Sequence, residues 1–250
     1  MDIKPLTGNI GAEIRNLQLA GIDDNRFGSV KQALWEHQVL VFREQHMSIE
    51  DHVAIGRMFG ELHTHPAFPG VSGHAEVLPI SNNGKAKTIT EVWHSDVSCD
   101  LRPPSISILR AINLPSYGGD TMWASQYAAL DRLSPALREM ITPLNAVHTN
   151  FDMEAVHPVV RTHPETKRQA LYVNGGFTSH FEGMTREESR PIIEYLVGVG
   201  SSLDLTMRHS WEPGDVVMWD NRCVMHFAIH DYGDAKRDMQ RVTVRGELPV

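Results

Sequence analysis

His94-Ser95-Asp96 sets an imidazole and a carboxylate two residues apart. On an extended backbone, residues i and i+2 project to the same side, so an extended stretch over 92–97 would bring both donors to one point. A third donor has to come from a distant part of the chain. Of the fourteen histidines, His226 is the strongest candidate, because it follows the strand-like run 215–219 and the turn at Asn221-Arg222. Two imidazoles and one carboxylate on one face of an octahedral metal leave three positions open, the arrangement used by non-haem Fe(II) oxygenases. On zinc, the same set would leave one open position. A His-x-Asp triplet alone arises by chance in many proteins, so the flanking residues must carry the weight.

Other conspicuous side chains read as structural. Trp93 and Trp219 suit packing beside the metal, since large aromatics dominate core contacts. Cys99 and Cys223 suit small buried hydrophobes better than ligands. His148, His180, His209 and His230 have no spacing that recommends them, His157 and His163 flank Arg161 in a turn-rich segment and read as structural, and Asp120 reads as a turn residue.

The elements that must position the triplet come from hydrophobic periodicity. Residues 26–37 read as a helix with Phe27, Val30, Leu34 and Trp35 on one side, followed by a buried strand over 37–42. Ser48 and Asp51 resemble a capping box for a second helix ending at Gly60. Strands are expected at 76–80, 105–112, 121–124, 170–174, 205–210, 215–219 and 241–246, separated by turn residues. Helices are expected at 125–141, broken at Ser134-Pro135, and at 186–197 behind the capping box Thr185/Glu188, with Pro191 a possible kink. Many short strands with a few helices suggest a jelly roll with helices packed outside.

With 250 residues, 41% hydrophobic, and no repeat or linker, the chain reads as one domain over 1–250. A net charge of −8 argues against a nucleic-acid partner, since phosphate binding wants a basic face. It leaves room for a small anion in a local Arg/His pocket. Two cysteines make no disulfide framework, so a reducing cytoplasm is expected. The N-terminus has no apolar leader core, and no run reaches the roughly 18 apolar residues of a membrane span.

The flanks of the triplet resemble the taurine dioxygenase (TauD/TfdA) family of Fe(II)/2-oxoglutarate dioxygenases. Ile10-Gly-Ala-Glu13 and His37-Gln-Val-Leu-Val-Phe-Arg43 are like its N-terminal segments. Phe59-Gly-Glu-Leu-His-Thr-His-Pro66, Trp93-His-Ser-Asp96 and Pro115-Ser-Tyr-Gly-Gly-Asp-Thr121 follow in the family's order. Trp219-Asp-Asn-Arg222 with His226 comes next, and then Arg237 and Arg241, eleven and fifteen residues beyond His226.

The resemblance implies a double-stranded β-helix (a cupin-like jelly roll), mainly β with flanking helices. It implies that His94, Asp96 and His226 hold Fe(II), and that 2-oxoglutarate chelates the iron. The distal carboxylate of 2-oxoglutarate would meet Arg237 and Thr121. A substrate anion would sit between His65 and Arg241, helped by the Val97 N–H. O2 would be consumed as 2-oxoglutarate is decarboxylated to succinate, and a substrate carbon hydroxylated. An organosulfonate or alkyl sulfate is the expected substrate, with release of sulfite or sulfate. The alternatives are an aryloxyalkanoate oxygenase and a non-catalytic jelly roll that binds an anion or metal. The expected partners are that small anion and copies of the same chain, as a dimer or tetramer.

Departures bear on the substrate rather than the chemistry. Thr90 stands where the family's taurine enzyme has Asn, Phe68 where it has Tyr, and Gly175-Gly176 where relatives carry larger residues. The region 146–156 is compact, which alters the lid. The stretch 105–112 resembles the alkylsulfatase type.

Overall fold

The computed structural model describes residues 1–82 and 91–250 of the chain. Two short strands, β1 (Asp2–Pro5) and β2 (Ala12–Arg15), pair antiparallel at the start. Helix α1 (Asp24–His37) is capped by Asp23, whose carboxylate accepts from the Arg26 N–H. It buries Phe27, Val30, Ala33 and Leu34, the spacing of one helical face. After β3 (Val39–Phe42), helix α2 (Ile49–Phe59) opens on the Ser48/Asp51 capping box. Strands β4 (Leu62–His63), β5 (Val77–Asn82), β6 (Ile106–Asn113) and β7 (Thr121–Ser125) follow.

Helices α3 (Gln126–Arg132) and α4 (Pro135–Ile141) are separate because Ser134 caps α4 and Pro135 occupies its first position, where a missing N–H is harmless. Then come β8 (Asn145–Asn150), β9 (Met153–Pro158), β10 (Val160–Thr162), β11 (Gln169–Leu171) and β12 (Thr178–Phe181). Helix α5 (Arg186–Gly200) carries Pro191 inside it and runs three residues past the expected end. The chain closes with β13 (Thr206–His209), β14 (Val216–Asp220), β15 (Val224–Ala228) and β16 (Arg237–Val244).

The largest sheet runs β1-β2-β3-β14-β6-β16-β4, with β5 also paired to β16. A second sheet, β13-β7-β15, packs against it. Strand β14 shows how the layers arise. Val216 and Met218 join the cluster under α1, while Val217 and Trp219 join Trp123 and Met207 of the second sheet. A strand covered on both faces is apolar at every position, which is why its sequence reads as a continuous run. Three further strands, β12-β8-β9, and the pair β10-β11 complete a mainly β protein with five helices among the described residues. None of the helices is long and apolar enough to cross a membrane.

The structure corrects the sequence reading at several points. Strands β1, β2, β8, β9, β10, β12 and β15 were not expected, being short or rich in His, Thr and charged residues. Strand β16 starts at Arg237, four residues early, because its cavity-facing positions are arginines rather than apolar residues. The strand expected over 170–174 ends at Leu171.

Candidate metal centre and anion pocket

His94 and His226 face one another across a two-residue bridge. The His94 N–H donates to the His226 carbonyl at 3.1 Å, and the His226 N–H donates back at 2.8 Å. The stretch around His94 is not a continuous strand: beyond this bridge the chain turns at Asp96. The turn, rather than i,i+2 alternation, brings the carboxylate back. Donor atoms of His94, Asp96 and His226 lie within 4.8 Å of one another, and all three residues are buried.

The His94 ring is oriented by its own backbone. Nδ1–H donates to the Val92 carbonyl at 2.7 Å, which leaves Nε2 as the free ligand atom. His226 packs at a tilt against Trp219, 4.8 Å between centroids, and its buried Nδ1 has no hydrogen-bond partner among the described residues. Burial lowers the proton affinity of both rings, and for His226 the neighbouring His94 adds to this; neutral imidazoles are the ligand form. Burial alone would raise the Asp96 pKa, but Arg241, His226 and His94 outweigh it and hold the carboxyl well below the usual range. Ser107 Oγ donates to Asp96 Oδ2 at 2.6 Å, and Asn221 Oδ1 accepts the Asp96 N–H at 3.2 Å. A buried set of two imidazoles and an oriented carboxylate fits a divalent metal with open positions.

All eight residues singled out in the sequence line one cavity of about 750 Å³. Thr121 on β7 pairs in register with Ala228 on β15, two residues past His226. Arg237 and Arg241 on β16 are both buried and both reach this cavity, as i and i+4 on a strand should. Arg237 Nε donates to the Gly119 carbonyl at 3.0 Å and Nη2 to Thr121 Oγ1 at 3.4 Å. No carboxylate among the described residues lies in ion-pair contact with it. Burial lowers its proton affinity, the sign of a guanidinium missing an anion. Its surroundings therefore fit a carboxylate-bearing co-substrate. Arg241 Nη1 donates to Asp96 Oδ1, while its buried Nε has no partner among the described residues.

His65 lines the cavity, whereas His63 turns to Asp100, with Nε2 3.3 Å from its carboxylate. The Ala67 N–H donates to His65 Nδ1 at 3.1 Å, so the ring proton sits on Nε2. Burial and Arg241 lower the His65 pKa to about 4, so it serves as a neutral donor. Val97 stands at φ +41°, a conformation that costs a β-branched residue about 1–3 kcal/mol and persists only where its surroundings enforce it. Phe68 is half exposed and packs with His65 and Phe151. Thr90 lies outside the described residues.

Sequence reasoning missed several contributors. Trp211 Nε1 donates to Thr121 Oγ1 at 3.0 Å. Ser107 supports Asp96 from β6, and Phe151 and Phe177 wall the cavity. Only the Ser105/Ser107 alternation inside an apolar strand signalled a buried polar role. Cys99 and Cys223 are buried free thiols, as expected. A second donor cluster, His163, Asp220 and Cys223, is already saturated. Arg222 donates to both Asp220 oxygens at 2.8 and 2.6 Å, and His163 Nε2 donates to Oδ2 at 2.9 Å. Arg245 pairs with Glu61 at the surface, away from the cavity.

Known proteins match this chain along nearly its whole length. The model of the "Taurine catabolism dioxygenase TauD, TfdA family" matches residues 2–243. An alpha-ketoglutarate-dependent sulfate ester dioxygenase of Pseudomonas putida is 35% identical over 100% of this chain and 91% of that protein. An alkylsulfatase of Acinetobacter baylyi is 33% identical over 99% of the chain and 86% of its own length. The crystal structure of a taurine dioxygenase from Burkholderia xenovorans superposes with a TM-score of 0.92 at 37% identity, covering 100% of this chain and 92% of that one. With that match, the chain belongs to the TauD/TfdA family and is a 2-oxoglutarate-dependent dioxygenase that uses Fe(II), 2-oxoglutarate and O2.

Proposed function

We propose that this dioxygenase hydroxylates the carbon bearing a sulfate ester or sulfonate, so that the product collapses to an aldehyde with release of sulfate or sulfite. The observation that carries the reading is the pair of buried guanidiniums on β16, both opening into the cavity that holds the His94/Asp96/His226 set. Two relatives at 35% and 33% identity bear the names sulfate ester dioxygenase and alkylsulfatase, which supports a sulfate ester over a carboxylate.

His94, Asp96 and His226 hold Fe(II), which with 2-oxoglutarate supplies O2 activation coupled to decarboxylation. Arg237 grips the distal carboxylate of 2-oxoglutarate with charge-assisted hydrogen bonds. Thr121 Oγ1 accepts from Trp211 and Arg237. A hydroxyl has two acceptor lone pairs, so its own O–H is left to donate to the same carboxylate. His65 Nε2–H and the Arg241 Nε–H bind the substrate's anionic group, with the Val97 N–H as a third donor. Phe151 and Phe177 exclude water from the cavity and orient the substrate carbon.

We further read the chain as one domain over 1–250 on a double-stranded β-helix, supported by the two facing sheets. Its two free, buried thiols support a reducing cytoplasm, and a homo-oligomeric dimer or tetramer is the proposed assembly. A panel of alkyl sulfates, sulfonates and aryloxy acids tests the function, read as succinate together with released sulfate or sulfite. Stoichiometric sulfur oxyanion from a sulfate or sulfonate is the expected result. Turnover of aryloxy acids with no sulfur oxyanion from the others would overturn it.

A further inference from the structure

Behind the cavity wall lies a triangle of buried polar residues, joined by two hydrogen bonds, with no part in the chemistry above. Ser98, His148 and Asn174 come from the turn after Asp96, from β8 and from the loop after β11, and none is more than 2% exposed. Asn174 Nδ2 donates to Ser98 Oγ at 2.9 Å, and Ser98 Oγ lies 2.9 Å from His148 Nδ1. Thr178 Oγ1 lies 3.5 Å from the same nitrogen, so His148 Nδ1 faces two hydroxyls. Burial, with His157 nearby, pushes the His148 pKa down to about 3, so the ring remains neutral. Asn174 Oδ1 accepts the N–H groups of Gly176 and Phe177 at 3.1 and 2.9 Å.

Each corner sits beside one residue of the cavity wall. Val97 precedes Ser98, Phe151 lies three residues past His148, and Phe177 three past Asn174. These three residues line the cavity and pack as one apolar cluster. Two of them occupy left-handed backbone, Val97 at φ +41° and Phe151 at φ +52°. Bulky residues stay there only when their surroundings over-determine the conformation. The triangle is placed to do this, because it ties together the three segments that carry them.

We propose that Ser98, His148 and Asn174 are positioning residues that hold the metal-bearing turn, the β8–β9 hairpin tip and the 174–177 loop in register, and so fix where the substrate carbon stands relative to the His94/Asp96/His226 set. The placement of the substrate rests on the function proposed above; the register of the three segments does not.

The test uses His148→Leu, which removes the polar partner, His148→Asn, which restores one near the Nδ1 position, and Ser98→Ala in case His148→Leu fails to fold. Hydrogen–deuterium exchange on the Fe(II)–2-oxoglutarate holoenzyme needs no substrate. In His148→Leu or Ser98→Ala, exchange should rise roughly tenfold or more in 95–99, 150–153 and 174–178 together, with β14 and β16 unchanged. His148→Asn should return it close to wild type. With hexyl sulfate as probe, the yield of aldehyde per succinate should fall by roughly half or more in the same two variants, while 2-oxoglutarate KM holds. Faster exchange confined to β8, or spread evenly over the molecule, overturns the proposal, as does His148→Leu with wild-type exchange and coupling. A wild type inert to hexyl sulfate counts against the alkyl sulfate reading, and the exchange pattern then decides the triangle by itself.

Discussion

A single hydrogen bond, from His94 Nδ1 to the Val92 carbonyl, decides which ring nitrogen faces the cavity. Asp96 is held as firmly, with Ser107 on one oxygen and Arg241 on the other. Asp96→Ala should keep the fold by circular dichroism, bind no stoichiometric iron and form no succinate, because the ligand set loses its only anion. Succinate at near wild-type rate in that variant would rule out the assignment. Arg237 and Trp211 should separate by size. Arg237→Gln loses a charge-assisted contact, and 2-oxoglutarate KM should rise roughly tenfold to over a hundredfold. Trp211→Phe loses one neutral donor to Thr121, and the rise should be roughly three- to tenfold. An unchanged 2-oxoglutarate KM in Trp211→Phe would mean that the Thr121 hydroxyl does not bind the co-substrate. Spacing made the His94/Asp96 pair legible, whereas His226 and Arg237 needed flanking motifs. Trp211 was illegible because its partner Thr121 lies 90 residues away, and the alternation that marked Ser107 as buried did not name Asp96, 11 residues earlier, as its partner.

Strand β16 does the most positioning, since it pairs with both β5 and β6 and presents both guanidiniums. Arg241 lies opposite Leu109 on one side and Leu78 on the other, so its side-chain direction is fixed by two ladders. His65, by contrast, sits on the loop after β4. If both grip one anion, His65→Ala and Arg241→Ala should each weaken substrate binding and combine non-additively. Titration of the anaerobic Fe(II)–2-oxoglutarate complex with substrate, followed by its visible absorption, gives the cycle. Additive losses would separate the two residues. The element boundaries explain why this strand was half read. Arg241-Val-Thr-Val alternates and was visible, but Arg237-Asp-Met-Gln puts charge where a core strand carries apolar residues. The helices were clearer, because Ser48/Asp51, Ser134 and Thr185/Glu188 are local signals.

At the scale of the molecule, the Asp220 cluster joins distant parts. Arg222 holds the β14–β15 turn on Asp220 and lies 3.8 Å from Glu247 in the C-terminal tail, which also pairs with Arg161. Burial would raise the Asp220 pKa, but Arg222 and His163 outweigh it and hold it well below the ordinary carboxylate value. The folded state therefore binds fewer protons than the unfolded chain as pH falls through about 4. Stability from this site is full above that value and is lost as pH drops toward the folded pKa. Asp220→Asn should destabilise the protein by about 3–5 kcal/mol near neutral pH, leaving the buried Arg222 with only the 3.8 Å contact to Glu247. It should also flatten the acid limb of Tm against pH below about 4. An unchanged acid limb would remove Asp220 from the account.

The two arginines of β16 also act as a ruler. Four residues of strand set their Cα atoms about 13 Å apart, and the unbroken ladder with β5 from Arg237 to Val242 holds that interval. On the proposed assignment, with the co-substrate carboxylate at one mark and the substrate's charged head at the other, the iron would address a carbon at a set distance from the head, whatever follows it. Regiochemistry would then belong to the strand and tolerance of tail length to the hairpin that carries Phe151. Changes in the hairpin could broaden or narrow the range of tails while the position of attack stays the same.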